Sequence, residues 1–270
     1  MNQSAYNFKY CKLCGQPAAT PSYPLHDACI YSCQNCDFHY LDVLDEETPT
    51  PTDSQLNDTS RRYIESRLDE SRHLHPERLK LVGKYTDLSS ITALDIGAGL
   101  GQFQLLVSEK GGKCLGIEPS HLRRQYAAET FGIELFEELV DHPSWQEKWP
   151  RHFDLITLWD VIEHVNFPRE TLHAAVKLLK QGGILSLETP SRDVAPYRLS
   201  LIAHRFSKGK FSLFLPTFYS NAQYGHKQIF TYKQLTKLLN DAGLEIIELR
   251  HSYTKRLAPG NKIIIVARKL

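Results

Sequence analysis

Leu94-Asp95-Ile96-Gly97-Ala98-Gly99-Leu100-Gly101-Gln102-Phe103 is an apolar run that ends in three alternating glycines. Amphipathic helical sequence follows it. Glycines at such a place permit a tight turn and let a ligand lie against the backbone. A dinucleotide fingerprint would need glycine where Gln102 stands; here the pattern is G-x-G-x-G. Asp95, two residues ahead of the first glycine, is a poor neighbour for a pyrophosphate and suits a ligand that carries an ammonium group. Glu118 closes the next apolar run, 118 − 97 = 21 residues after Gly97. An acid at an offset of about 20 residues accepts hydrogen bonds from ribose hydroxyls. The alternative is a glycine-rich turn with two surface acids.

Outward from this loop, apolar strand-like runs alternate with helical runs from Ser90 to the C-terminus. That alternation is the mark of a parallel sheet with crossover helices. Strands are expected at 91–96, 113–118, 133–136, 153–159, 183–188, 244–250 and 262–267. After Pro168, Leu172, Ala175, Val176 and Leu179 follow helical spacing, and Gly182-Gly183 should stop that helix. Leu235, Leu238, Leu239 and Ala242 repeat the pattern ahead of Gly243. The last two strands are too close in sequence for a helix between them, so an antiparallel hairpin is expected at the sheet end.

The totals bound the function. A chain of 270 residues fits one large α/β domain with a small appendage. A net charge of +1 disfavours a dedicated nucleic-acid binder. The N-terminus lacks a secretory pattern, and no apolar run reaches the ~18 residues of a membrane span, so a cytoplasmic protein is expected. Five of the six cysteines fall between Cys11 and Cys36. Cys11-x2-Cys14 and Cys33-x2-Cys36 are separated by 18 residues, which matches a four-thiolate zinc site. Such a site has no open position, so its role is to hold a module too small to build its own core. Cys29, His26 and His39 are possible substitute ligands; free buried cysteines are the other reading. The chain divides into a zinc-ribbon module over 1–45, a linker and helical segment over 46–84, and a catalytic domain over 85–270.

LDIGAGLGQF (94–103), GIEPS (116–120) and FDLITLWDVIEHV (153–165) together resemble the motifs of class I S-adenosylmethionine-dependent methyltransferases. S-adenosylmethionine carries an α-ammonium and a sulfonium and no phosphate, in keeping with Asp95. Glu163-His164, and His226 followed by Phe230-Thr231, resemble the branch that includes ubiquinone-biosynthesis O-methyltransferases and enzymes of sugar pathways. The resemblance implies a Rossmann-like sheet of seven strands with a C-terminal antiparallel hairpin. It places Asp95, Gly97, Gly99 and Gly101 around the methionine end of the donor and Glu118 on the ribose, with Ala98, Phe103 and Pro119 also among the cofactor-binding residues. Glu138 stands where an adenine contact is normal, and Trp159 and Asp160 should face the donor or acceptor.

Methyl transfer mainly requires nucleophile, carbon and sulfur to be held in line. For a hydroxyl acceptor a base helps, and His164 is the candidate, with His226 as a second. The alternative is that Glu163 and His164 fix the loop by hydrogen bonding. An insertion over about 191–228 should cover the acceptor. From Ser191 to Asn240 there are eight Lys or Arg and one acid, Asp193, with aromatics interleaved. That suits an anionic small-molecule or glycan acceptor, including a phosphorylated or nucleotide-linked sugar. RNA methylation using the cysteine module and this basic stretch is a second reading, and a non-catalytic donor-binding assembly protein a third. Leu199–Ala203 and Phe211–Phe218 could instead dock on a membrane surface or a second subunit. The sequence leaves the oligomeric state open.

Overall fold

A computed structural model describes residues 6–46, 56–71, 73–253 and 259–270. Three short strands come first: β1 (Ala19–Pro24), β2 (Cys29–Cys33) and β3 (His39–Leu41). Helices α1 (Asp58–Ser71) and α2 (Leu74–Val82) follow. The alternating region then runs β4 (Thr92–Ile96), α3 (Gln102–Glu109), β5 (Lys113–Ile117), α4 (His121–Phe131), α5 (Pro143–Lys148) and β6 (Phe153–Trp159). It continues through α6 (Pro168–Leu178), β7 (Leu179–Pro190), α7 (Ala195–Phe206) and α8 (Leu215–Phe218). The chain ends with β8 (Gln228–Ile229), α9 (Tyr232–Asp241), β9 (Leu244–Tyr253) and β10 (Pro259–Lys269).

The larger sheet has six strands in the order β5-β4-β6-β7-β10-β9. β4 pairs in parallel with both β5 and β6. In β6, Leu155, Ile156 and Leu158 are all fully buried, as expected of a parallel strand covered on both faces. Residues 254–258 are all that separates β9 from β10, and a parallel crossover needs a dozen residues or more, so these neighbours form the expected antiparallel hairpin.

The α/β architecture is the expected one, with six strands in the larger sheet among the described residues where seven were expected. Residues 133–136 make only an isolated parallel bridge from Phe136 to Ile117. The pairing stops there because the next residues are exposed, and Arg124 draws the Glu137 carboxylate to 2.6 Å. A second difference concerns the helix expected to run to Gly182. It ends at Leu178, because the amides of Arg151 and His152 take the carbonyls of Lys177 and Leu178 at 3.2 and 2.8 Å. Those carbonyls belong to the last helical turn, which has no partners of its own.

The chain divides into two compact units. One comprises residues 1–46, 160–172 and 188–265; the other comprises 47–159, 173–187 and 266–270. In the first, β1, β2, β3 and β8 form a four-stranded sheet, with antiparallel β1–β2, β2–β3 and β3–β8 pairs. Ile30 and Leu41 of the cysteine module pack with Tyr197, Leu215, Tyr219 and Ile229 in one core. The insertion therefore shares a core with the N-terminal strands. Helix α9 starts on a capping box, in which Thr231 accepts from the Gln234 amide and the Gln234 side chain accepts from the Thr231 amide. Among the described residues no helix is long and apolar enough to cross a membrane.

Candidate functional site

The glycine loop leaves β4 and enters α3 within the second unit. Gly97, Gly99 and Gly101 all have left-handed φ, at 72°, 59° and 74°. A Cβ on Gly101 would lie 2.8 Å from the Ile133 side chain, whereas one on Gly99 would meet nothing within 4 Å. Gly101 is thus required for conformation and space, while Gly99 leaves its backbone open to a ligand.

Both acids flank this loop, and both are buried. Glu118 accepts hydrogen bonds from the amides of Gly99 at 2.9 Å and Ser120 at 3.0 Å. Its carboxyl is pushed above the usual range by burial, against the pull of the Arg123 guanidinium 3.6 Å away. Asp95 accepts from the Thr157 hydroxyl at 2.6 Å. Burial raises its carboxyl to about 7, opposed by that hydrogen bond and by the charge of Arg78. A buried carboxylate in such a place is stabilised by a cation brought to it.

Trp159 closes β6. It packs edge-on against Phe103 at 5.6 Å and under the Arg78 guanidinium at 5.2 Å. Its indole N–H is buried and has no hydrogen-bond partner among the described residues, a donor that a bound group could satisfy. Ala98 is buried, its amide donating to Ile117, and Pro119 is half-buried, its carbonyl accepting from Arg124. Glu138 is exposed, and its carbonyl accepts from the Trp145 indole at 3.0 Å.

A second cluster lies in the first unit. Asp160 has a left-handed φ of 58°, and its carboxylate meets Lys262 Nζ at 2.7 Å. Lys262 also reaches Glu188 at 3.1 Å. Burial alone would lower the Lys262 pKa, but the two carboxylates outweigh it and hold the ammonium charged. Glu163 is fully buried; one oxygen accepts from Thr189 at 2.9 Å, and the other lies 3.7 Å from His164 Nε2. Burial, reinforced by the charge of Asp160, lifts the Glu163 carboxyl to about 8.

The rings of His164 and His226 lie 4.7 Å apart. His226 Nδ1 is 3.2 Å from the Phe218 carbonyl. A carbonyl only accepts, so Nδ1 carries the proton and Nε2 keeps a lone pair. Burial lowers the His226 pKa, which keeps the ring neutral. Backbone pairing fixes the turn that carries His164: the Lys227 and Gln228 amides donate to the Glu163 carbonyl at 2.8 and 3.2 Å. The Gln228 side chain donates to the carbonyls of Ile162 and Val165. The cluster can accept a proton, and its three side chains can approach one small cation, since their ligand atoms lie within 4.8 Å of one another.

Residues 61–249 match the family described as a methyltransferase domain. The chain belongs to that family, and it is an S-adenosylmethionine-dependent methyltransferase. It is similar to the ubiquinone biosynthesis O-methyltransferase of Azoarcus sp. (strain BH72), 23% identical over 180 residues, covering 65% of this chain and 73% of that one. The enzyme of the same description from Idiomarina loihiensis is 25% identical over 181 residues, covering 65% and 71%. Among solved structures, a methyltransferase from Methanosarcina mazei has a TM-score of 0.54 at 21% identity, covering 70% of this chain and 97% of that one.

In this methyltransferase the four paired cysteines meet. Cys11 and Cys36 Sγ are 3.6 Å apart, and Cys14 and Cys33 Sγ are 3.7 Å apart. All four sulfurs lie within 4.8 Å of one another. With Zn–S bonds of ~2.3 Å, the edge of a thiolate tetrahedron is ~3.8 Å; the geometry fits a zinc ion. Cys29 lies outside the cluster, with its sulfur turned to the Ile30 carbonyl. His26 is exposed beside Asp27, and His39 is buried with Nδ1 2.8 Å from the Tyr197 hydroxyl.

Sequence reasoning missed Arg78, Thr157, Glu188, Thr189 and Lys262 around these clusters. Thr157 was detectable, because it stands two residues before Trp159 on a strand and so shares its face. Arg78 and Lys262 carried no signal: each is one basic residue among 32.

Proposed function

We propose that the chain methylates an oxygen of an anionic small-molecule or glycan acceptor, with S-adenosylmethionine held on the glycine loop. The observation that carries the donor reading is Asp95, a buried carboxyl at about 7 beside an open glycine turn. In this reading Asp95 takes the α-ammonium of the donor and Glu118 its ribose hydroxyls. Gly97, Ala98, Gly99, Gly101, Phe103 and Pro119 shape the surrounding wall. Trp159 supplies its indole N–H, and Asp160 follows it in the chain. Glu138, with its side chain exposed, is the weakest member of the set.

In the reaction an acceptor oxygen lone pair forms the new bond to the methyl carbon as the carbon–sulfur bond breaks. The leaving electron pair stays on sulfur, giving S-adenosylhomocysteine, and the hydroxyl proton passes to a base. We assign the base to the His164–His226 pair, with Glu163 as the positioning residue that orients His164. The basic insertion favours an acceptor bearing negative charge. We assign the sulfur cluster to structural Zn2+, with residues 1–45 as a module that braces the insertion over about 191–228. The contacts supporting this are Arg192 to the Asp37 carboxylate, Gln234 to the Cys36 carbonyl, and the His39–Tyr197–Tyr219 hydrogen-bond chain.

Titration calorimetry with S-adenosylhomocysteine tests the donor site. Wild-type protein should bind, and Asp95→Ala or Glu118→Ala should lose about tenfold or more with the fold intact; wild-type protein that ignores the ligand overturns the reading. For the base, His164→Ala should lower kcat by about 10²–10⁴ while donor affinity holds. Unchanged kcat with lowered stability would assign His164 a purely structural role.

A further inference from the structure

Six of the twelve large apolar side chains that stand exposed among the described residues fall within sixteen consecutive positions, 199–214. Scattered exposed apolar residues need no explanation, but a contiguous patch does. On α7, Leu199, Ile202 and Phe206 sit at i, i+3 and i+7, so they form one stripe. The opposite side of the same helix is already satisfied: Tyr197 and Ser200 are fully buried. The stripe is therefore surplus to the fold.

The next stretch extends the patch. The Phe211 amide donates to Ser207 Oγ at 2.9 Å, and the Phe214 amide donates to Ser200 Oγ at 3.0 Å. These bonds hold Phe211, Leu213 and Phe214 back against α7. Phe206 is 84% exposed and Phe211 64%, too much for rings that merely line the edge of a core.

The charged residues interleaved with the patch along the chain have one sign. Arg205, Lys208 and Lys210 are interleaved with these residues and exposed. Between Asp193 and Asp241 the sequence has no acidic residue. Arg205 lies along one flank of the apolar stripe, within about a third of the helix circumference; Arg198, on the same flank, is paired with the Asp193 carboxylate at 3.6 Å. A second copy of this surface would bring like charges together. RNA would match the charge but would leave Leu199, Ile202 and Leu213 with nothing to bury against, because bases stack on aromatic rings. A bilayer with anionic headgroups satisfies both halves: apolar side chains enter the acyl boundary, and Lys and Arg sit among the headgroups.

We propose that the surface formed by α7 and residues 207–214 docks this methyltransferase in the interfacial plane of an anionic membrane. The proposal does not depend on which acceptor is methylated.

The test is flotation of the full chain with phosphatidylcholine vesicles, alone or with about one-third phosphatidylglycerol. Two variants accompany it, Ile202→Ser/Phe206→Ser/Phe211→Ser and Arg205→Gln/Lys208→Gln/Lys210→Gln. All their positions are exposed, and retained S-adenosylhomocysteine binding shows that each variant is folded. Wild-type protein should float with the anionic vesicles, less at high salt, and each variant should partition about tenfold less. Three results overturn the proposal. One is wild-type protein that stays out of the anionic fraction. Another is binding that both variants retain in full. The third is a wild-type chain that ignores vesicles while forming a dimer, or an RNA complex, that the variants abolish.

Discussion

Asp95, the proposed partner of the donor's ammonium, would link that role to stability. Its carboxyl is raised from 3.8 to about 7, so the folded apo protein favours the neutral form. A group raised in the folded state contributes stability that is fully present below its unfolded pKa and lost as pH rises through its folded one. Between pH 4 and about 7 the apo protein should lose up to about 4 kcal/mol from this group. Asp95→Asn should flatten that part of the pH–stability curve in urea melts. Donor binding should run the other way, with affinity for S-adenosylhomocysteine rising as pH increases towards 7 and then levelling, since its ammonium favours the carboxylate. Lys227 is a second case. In sequence it is one of the eight basic residues of the stretch read as suiting an anionic acceptor, yet its side chain is fully buried, 2.8 Å from Asp45. It also donates to the carbonyls of Ser220 and Ala222. Lys227→Ala should cost about 3–5 kcal/mol in equilibrium unfolding, because it strands the Asp45 carboxylate.

At the level of elements, the strand–loop–helix from β4 to α3 was legible because glycine, acid and apolar run each demand the same geometry. Gly101→Ala tests it. The added methyl meets Ile133 at 2.8 Å with φ at 74°, so a loss of about 1–3 kcal/mol is expected in thermal or urea unfolding. S-adenosylhomocysteine affinity should fall with it. Helix α6 was equally legible on its apolar face, with Leu172, Ala175 and Val176 all buried. Its end was not, because the carbonyls that terminate it are taken by amides of residues 151 and 152, about 26 positions earlier in the chain. The expected third strand failed for a related reason. Local apolar character can propose a strand, but only a neighbour of matching length and register makes one.

Across the whole molecule, the zinc assignment makes a spatial prediction. Chelation, or Cys33→Ser, should raise amide exchange in residues 19–41 and also in 195–230, because Ile30, Leu41, Tyr197 and Leu215 share one core. Amides of β4 and β6, which belong to the other compact unit, should stay protected. Exchange confined to 19–41 would contradict the bracing role assigned to the module. The cysteine spacing, the glycine loop, its two acids and the alternation of strands and helices were all decided by the amino-acid sequence, because each rests on residues near in the chain or on a fixed backbone period. Tertiary structure alone decided that the insertion packs with the cysteine strands, that Arg78 lies over Trp159, and that Lys262 holds Asp160 and Glu188 together. Each of those joins residues more than seventy positions apart. Such contacts follow from which surfaces are buried together, and no local pattern of charge or hydropathy encodes that.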